Sequence, residues 1–435
     1  MLSAQGTLLR AAMAARGDVG PGDPVPLEYV GEALRWVVMH EVGHTLGLRH
    51  NFRSSIDTPL EQLHDRDWAR TRGLVSSVMD YHSPNIAARG ERQGYYYTPT
   101  VGSSDEWVIA YGYTSDAARA AAIAREAGSD GHAFGTDEDA GGSGALDPTV
   151  NPNDLGADPL RWARQRAGII AALWPDLPAH VLTDNSRYAD LTDAFQTLVG
   201  QYAQALAPAV KYVGGQYVYR TRPGDANDRG PFVAVPKARQ LEALSFLTER
   251  AFSEDAFAVP PRVLAQFGPD RWNHWGASNT FSGRIDYPLH ERVLAVQTTL
   301  LNQLTNPFRL ARIRDAELKF GAAEVVTIPE LMDELTRAVW SEVWGATSRN
   351  MPAMRRDLQR AYLDRMTEIV ATRQERMPAD ARAVARLRLS DLDRRIAQRL
   401  ESAGSLDAYT VAHLQEARAR IDKALDAGIE LEIGT

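Results

Sequence analysis

Three histidines and one glutamate stand close together near the start of the chain, in a pattern that catalytic metal sites require. The segment reads HEVGHTLGLRH, so His40 and His44 are four positions apart and Glu41 directly follows the first histidine. On a helix the two histidines lie one turn apart on the same face and can bind one ion. Gly47 allows a backbone turn that a side chain would resist, and this turn brings back His50 as a third ligand.

Three neutral imidazoles suit one zinc ion and leave it open to water. Ligand nitrogens at about 2.0–2.1 Å leave a fourth tetrahedral position, which is typical of catalytic rather than structural zinc sites. A water in that position has its pKa lowered to about 7, so a hydroxide nucleophile is available at neutral pH. Glu41 lies close enough to take the proton of this water without being a ligand. We therefore expect one Zn²⁺ and hydrolysis with Glu41 as the general base.

A second segment has the form of a tight turn beneath a metal. Residues 76–81 read SSVMDY. The extended histidine motif resembles the metzincin clan of zinc endopeptidases, whose second signature is a turn that carries a methionine. The resemblance implies that Met79 forms the floor of the site. It also implies that Tyr81 is a displaceable additional ligand that helps to stabilise the oxyanion, as in the astacin and serralysin branches.

The stretch after this turn extends the resemblance. SSDEWVIAYGY is similar to the C-terminal helix of metzincin domains at Asp105, Ile109, Tyr111 and Gly112. Shorter matches, including HNF, DLGADP and VAHL, resemble the bacterial EcxA-like zinc-dependent metalloproteases over most of the chain. Asn51 follows the third histidine where astacins and serralysins have Glu or Pro, so neither branch is assigned.

The resemblance implies more structure before the motif than the chain provides. Metzincin catalytic domains have an upstream β-sheet whose edge strand aligns the substrate, and only 39 residues precede His40. We therefore expect that the chain is a fragment or a mis-started product, or that an upstream segment or second chain completes the cleft. The family also suggests an extracellular or periplasmic location, although residues 2–15 make no convincing signal peptide.

Two helices are expected to position these residues. Apolar residues at three- and four-residue steps predict a helix from about residue 27 to residue 46, which carries the first two histidines. A shorter helix is expected near 104–111. Ser103 with Glu106 three residues later fits a capping box for this second helix.

The predicted fold class is mainly α (α+β), with a partial metzincin core followed by a large helical region. Breaker clusters and composition predict four parts: an irregular lead-in at 1–26, the C-terminal part of a metzincin catalytic domain at 27–126, a Gly-, Asp- and Pro-rich linker at 127–158, and a helical domain at 159–435. Two β-prone runs predict a hairpin near 216–235 within the last part.

Composition excludes several other classes of site. The chain has no cysteine, which excludes zinc ribbons, iron–sulfur clusters and thiol nucleophiles. A formal net charge of −8 argues against binding of nucleic acid, which needs a concentrated basic surface. No run of about 18 apolar residues predicts a membrane span.

Weaker candidates have a plain structural interpretation. Asp137, Glu138 and Asp139 could bind Ca²⁺, but they lack an ordered ligand spacing, and a solvated loop is the favoured interpretation. His82 lies near the expected metal and could form a hydrogen bond to one of its ligands. The other histidines outside the motif have no recognisable context.

Two functions follow from the sequence. The leading hypothesis is a zinc metalloendopeptidase that cleaves protein or peptide substrates, with Glu41 as general base. The alternative is a catalytically silent, zinc-stabilised interaction protein derived from a truncated metalloprotease. Chelator-sensitive cleavage by this chain would distinguish the two.

Overall fold

A computed structural model describes residues 2–141, 145–224, 228–270, 285–345, 349–371, 376–401 and 403–426. Its α-helices are α1 (Leu2–Arg16), α2 (Leu27–Thr45), α3 (Arg66–Arg72), α4 (Ser103–Gly112), α5 (Ala117–Ala124), α6 (Asp137–Ala140), α7 (Pro159–Leu173), α8 (Leu177–Val181), α9 (Tyr188–Tyr212), α10 (Lys237–Leu247), α11 (Pro261–Leu264), α12 (Leu289–Leu304), α13 (Pro307–Phe320), α14 (Ile328–Val339), α15 (Ser341–Trp344), α16 (Ala353–Ala371), α17 (Ala379–Glu401) and α18 (Ala408–Asp426). Shorter helical turns are Ser54–Asp57, Leu60–Gln62, Trp174–Asp176, Thr248–Phe252 and Ala403–Ser405. Within the described ranges, no helix is both long and apolar enough to cross a membrane.

A single small sheet interrupts the helices of the described part of the chain. It pairs β1 (Gln216–Val218) with β2 (Phe232–Ala234). The predicted fold class and the predicted hairpin are therefore confirmed. Residues 225–227 of the connecting loop lie outside the described residues.

The chain folds into two compact units. The first contains Met1–Val233 and Val259–Tyr287, and the second contains Ala234–Ala258 and Pro288–Thr435. This division differs from the predicted one, which placed a linker at 127–158. That segment instead packs into the first unit.

Backbone hydrogen bonds explain why 127–158 is part of a core rather than a linker. The N–H of Phe52 donates to the carbonyl of Gly135 over 2.7 Å, and the N–H of Asn151 donates to the carbonyl of Phe52 over 3.0 Å. Gly135 lies so close to Val150 that an added Cβ would overlap its side chain. A segment rich in Gly, Asp and Pro is thus fixed by its neighbours although it has little helix or strand of its own.

The beginning of the chain also differs from the prediction of an irregular lead-in. Helix α1 buries Leu8, Leu9 and Met13 and packs against α7, α8 and α9. Only residues 17–26 are irregular. A helix this short is marginal by itself in water, and here its stability comes from tertiary burial that local sequence cannot reveal.

Helix α2 confirms the predicted helix that carries the motif. It follows Pro26 and ends at Thr45. One face is buried, and there the Trp36 ring stacks on Tyr97 with centroids 5.1 Å apart. This face, which also includes His40, holds the helix to the loops that follow it along the chain.

The second unit surrounds α16, which packs against α12, α17 and α18. Several of its arginines form exposed ion pairs, such as Arg420 with Asp364 at 2.7 Å. Arg355 differs from them, because its guanidinium forms a 2.6 Å pair with Glu342 and both side chains are buried. Removing one member would leave an uncompensated buried charge, which is strongly destabilising.

His413 gives the second unit a testable pH response. Its ring stacks on Trp340 with centroids 5.7 Å apart, and its Nε2 donates to Gln359 Oε1 over 2.7 Å. Burial lowers the pKa of His413 from 6.5 to about 4. The unfolded chain therefore takes up a proton near pH 6.5 that the folded unit takes up only near pH 4, so this residue's contribution to stability falls as the pH falls between these values.

We expect the free energy of unfolding of the parent to fall between pH 7 and pH 5 by about 2 kcal/mol more than that of the His413→Gln variant. Denaturant titration of both proteins at the two pH values measures this difference. Comparing slopes with pH removes any fixed loss of stability from the substitution. Equal pH dependence of the two proteins would show that His413 does not titrate as described.

Candidate metal centre

The end of α2 is built to bring the third histidine back toward the first two. The N–H of Leu48 donates to the carbonyl of Gly43 over 3.0 Å, and the N–H of Gly47 donates to the carbonyl of His44 over 3.0 Å. This pair of bonds is the Schellman arrangement that ends many helices. Gly47 has a φ of 90°, which residues with side chains rarely adopt. The turn predicted at Gly47 is therefore present, and His50 follows it.

The three histidines of the motif converge on one point. One nitrogen of each ring lies within 4.8 Å of the corresponding nitrogens of the other two. The His40 and His44 ring centroids are 4.7 Å apart, and those of His44 and His50 are 4.9 Å apart. The structure thus brings together the three residues that the sequence predicts as metal ligands.

Each ring is oriented by a hydrogen bond at Nδ1. His40 donates to the carbonyl of Val78 over 2.9 Å, and His44 donates to the carbonyl of Leu48 over 3.0 Å. His50 lies 3.0 Å from a carboxylate oxygen of Asp137. Because these oxygens only accept, the ring hydrogen is held at Nδ1 and Nε2 carries a free lone pair.

The Nε2 atoms give a direct test of whether the site fits a metal. Those of His40 and His50 are buried and have no hydrogen-bond partner, which is costly for a polar atom unless a ligand satisfies it. Burial, with the neighbouring rings of His44 and His50, also lowers the pKa of His40 despite its bond to Val78. Neutral imidazoles with unpaired lone pairs facing one point are the donor set that zinc prefers.

Met79, which the resemblance implies as the floor of the site, packs against the helix that carries the first two histidines. Its side chain is almost fully buried and its Sδ packs against Gly43, where an added Cβ would overlap the sulfur. The carbonyl of Met79 accepts the N–H of Asn51 over 3.1 Å. Gly43 lies inside the histidine motif, but its need for a hydrogen in place of a side chain is visible only in the structure.

Asp105 holds the turn that contains Met79. Its carboxylate accepts Ser77 Oγ over 2.6 Å and the N–H of Val78 over 2.8 Å. It also accepts the N–H of Gly102 over 3.0 Å, so Asp105 is the residue that caps α4. The predicted capping box of Ser103 and Glu106 is wrong, because the N-cap residue is Gly102 and Ser103 is already the first residue of the helix.

Tyr81 lies against the histidine cluster. Its ring centroid is 4.5 Å from that of His50 and 5.0 Å from that of His40. Burial and the negative charges of Glu41 and Asp137 raise the pKa of Tyr81, so its hydroxyl keeps its proton at neutral pH. Glu41 itself is exposed on α2, one position beyond the first histidine.

The chain matches one protein family over most of its length. A family model described as Met-zincin matches residues 22–346, which is well over half of the chain. The chain belongs to the Met-zincin family. No curated protein and no solved structure gave a match. Met-zincin membership indicates a zinc metallopeptidase that acts on peptide substrates, and the histidine cluster is compatible with zinc.

The acidic segment that could have bound calcium has other partners in this Met-zincin. Asp137 contacts His50 at 3.0 Å, Glu138 pairs with Arg49 at 2.7 Å, and Asp139 pairs with Arg220 at 2.6 Å. Nothing therefore supports a calcium site here. Burial acts to raise the pKa of Asp137, but its interactions with His50, together with hydrogen bonds from its own backbone and from Thr136, lower the pKa overall.

The residue that bonds to a histidine ligand is Asp137 rather than His82. His82 is buried, with Nδ1 donating to the carbonyl of Ser83 over 2.9 Å and Nε2 facing the N–H of Thr98. Burial lowers its pKa to about 4, so it is a neutral core residue. Sequence reasoning missed Asp137 because it lies 87 positions after His50, and no spacing rule connects them.

The contact between Gly43 and Met79 predicts a stability effect with a matched control. We expect Gly43→Ala to lower the free energy of unfolding by about 1–3 kcal/mol, because the new methyl group overlaps Met79 Sδ in a packed core. Gly31→Ala on the same helix has nothing within 4 Å of its new Cβ and should raise it by up to about 1 kcal/mol. Denaturant unfolding of the metal-free proteins measures both.

A double variant locates the cause of this effect. Met79→Ala removes the overlapping sulfur, so Gly43→Ala should cost less in that background than in the parent. Equal cost in both backgrounds would mean that the contact with Met79 is not the reason for glycine at position 43.

Proposed function

We propose that this Met-zincin is a zinc-dependent metalloendopeptidase in which His40, His44 and His50 hold the metal. The observation that carries this proposal is the convergence of three imidazoles, each with Nδ1 occupied and two with a buried, unpaired Nε2. Among the described residues, the group of His, Asp and Glu side chains placed to hold a metal consists of these three histidines. This arrangement supports a catalytic rather than a structural site.

Zinc in this site would activate a water and polarise the scissile carbonyl. Glu41 accepts the proton of the attacking water at its carboxylate and then passes it to the leaving amine. Its exposure suits this role, because an exposed carboxylate can reach the substrate. Tyr81 keeps its phenolic proton and donates a hydrogen bond to the developing oxyanion.

A cavity next to the site supports a preference for substrates with an apolar side chain. The cavity has a volume of about 580 Å³ and is bounded by Met79 and by Leu48 of the turn before the third histidine. Apolar and aromatic side chains line much of it, namely Ile56, Trp107, Val108 and Phe134. These walls suit an apolar substrate side chain, since burying it there removes apolar surface from water. We propose that the substrates are protein or peptide segments that have an apolar side chain beside the scissile bond.

Several finer expectations from the sequence stay predictions. They are the likeness to EcxA-like proteases, the extracellular or periplasmic location, and the completion of the cleft by an upstream segment or a second chain. The silent, zinc-stabilised alternative also stays a prediction. It shares the metal site and differs only in turnover, so the test of function is cleavage.

The decisive variant is Glu41→Gln. We expect the purified parent to hold about one zinc per chain and to cleave an unfolded substrate such as reduced casein, with loss of cleavage on chelation. The glutamine variant should keep its zinc but lose about 10²–10⁴-fold in cleavage rate, because the amide cannot take a proton. Metal analysis and a fluorescent casein assay measure the two properties separately.

The exposed Glu106 of α4 offers a matched control, because Glu106→Gln removes the same charge away from the histidines and should leave cleavage unchanged. A Glu41→Gln protein that cleaves as fast as the parent contradicts the mechanism. A parent that holds zinc but cleaves nothing supports the silent alternative instead.

A further inference from the structure

His50 differs from the other two histidines in what holds its ring. The rings of His40 and His44 donate to backbone carbonyls, which are fixed by the turn and helix around them. The ring of His50 instead faces the carboxylate of Asp137, with both oxygens within reach at 3.0 and 3.1 Å. A charged acceptor makes a stronger hydrogen bond than a neutral one.

The backbone around Asp137 is fixed relative to the third histidine. Gly135 forms two bonds with the residues that follow His50, since its carbonyl accepts the N–H of Phe52 over 2.7 Å and its N–H donates to Asn51 Oδ1 over 3.1 Å. Asn51 Nδ2 donates in turn to the carbonyl of Ala133 over 2.9 Å. Backbone contacts therefore hold the segment 133–139 beside His50 independently of the contact between the Asp137 carboxylate and the ring.

The neighbouring carboxylates of Glu138 and Asp139 bind arginines instead of a histidine. Glu138 pairs with Arg49 and the two side chains are 65% and 57% exposed. Asp139 pairs with Arg220 of the hairpin and also accepts the N–H of Thr136 over 2.9 Å. Neither contacts a histidine of the site through any described bond. Asp137, whose side chain is itself 53% exposed, therefore differs from its neighbours in its partner, which is a predicted metal ligand, and not in burial.

We propose that Asp137 is a positioning residue for the metal centre. Its carboxylate keeps the ring hydrogen of His50 at Nδ1 and holds the ring in the orientation that presents Nε2 to the ion. This inference rests on the three histidines being the metal ligands, as in the proposed function. Partners that orient a ligand in this way typically change metal affinity by about 10–100-fold when removed. The long segment that sequence analysis treats as a linker thereby acts on the metal site.

The test measures zinc affinity by competition with a chromogenic chelator, which needs no peptidase activity. We expect Asp137→Ala to raise the zinc dissociation constant by about 10–100-fold. Asp137→Asn keeps an oxygen acceptor without the charge and should show a smaller loss. Asp137→Glu should recover part of the affinity.

Glu138→Gln is the matched control, because it removes one negative charge from the adjacent position without touching His50. We expect its zinc affinity to stay within about threefold of the parent. The absorption spectrum of the Co²⁺-substituted protein adds a second readout. It should change in Asp137→Ala, where the His50 ring is no longer fixed, and match the parent in Glu138→Gln.

Two results would overturn the proposal. One is parent-like zinc affinity and cobalt spectrum in both Asp137→Ala and Asp137→Asn, and the other is an equal loss of affinity in Glu138→Gln, which would reveal a general charge effect. Unfolding of the metal-free variants separates lost folding from lost positioning. Because zinc binding is measured alone, a protein whose zinc affinity depends on Asp137 but that cleaves nothing would refute the proposed peptidase activity and not this inference.

Discussion

A neutral imidazole has two nitrogens but only one hydrogen, and the metal centre depends on where that hydrogen is held. In all three rings of the cluster Nδ1 faces an oxygen, and the three oxygens come from Val78, Leu48 and Asp137. These acceptors leave the Nε2 lone pairs free. Because the acceptors lie in three separate segments, the site is a property of the folded first unit and not of the histidine motif alone.

The turn that contains Val78 and Met79 is held in place by one buried carboxylate, that of Asp105. Val78 accepts the hydrogen of His40 at its carbonyl and donates its own N–H to Asp105. Burial raises the pKa of Asp105, while its bonds with Ser77, Gly102 and Val78 act in the opposite direction. A carboxylate that bonds to two segments at once fixes the start of α4 to the turn. Met79 then fits under α2 because Gly43 has no side chain.

Segments far apart in the sequence also form the surroundings of the site. The segment 133–139 reaches His50, and its Asp139 pairs with Arg220, two residues after β1. The cavity beside the turn is bounded by α4, by residues 127–134 and by residues 218–221. The hairpin, which sequence analysis places in a helical C-terminal domain, is thus part of the wall of the candidate site. Because this wall is formed by segments that are far apart in the sequence, no local sequence pattern predicts it.

Local spacing in the sequence is enough to predict the metal-binding chemistry. The helix of His40 and His44, the turn at Gly47 and the methionine turn follow from helical periodicity, backbone freedom and a recognisable motif, and the structure has all three. Their surroundings depend on contacts between distant segments, namely the burial of the helical α1, the packing of the described residues of 127–158 into the first unit, and the bond between Asp137 and His50. The physical reason is range. Capping, periodicity and turn geometry act over a few residues, whereas burial and hydrogen bonds between distant segments depend on which surfaces meet, and no short pattern records that.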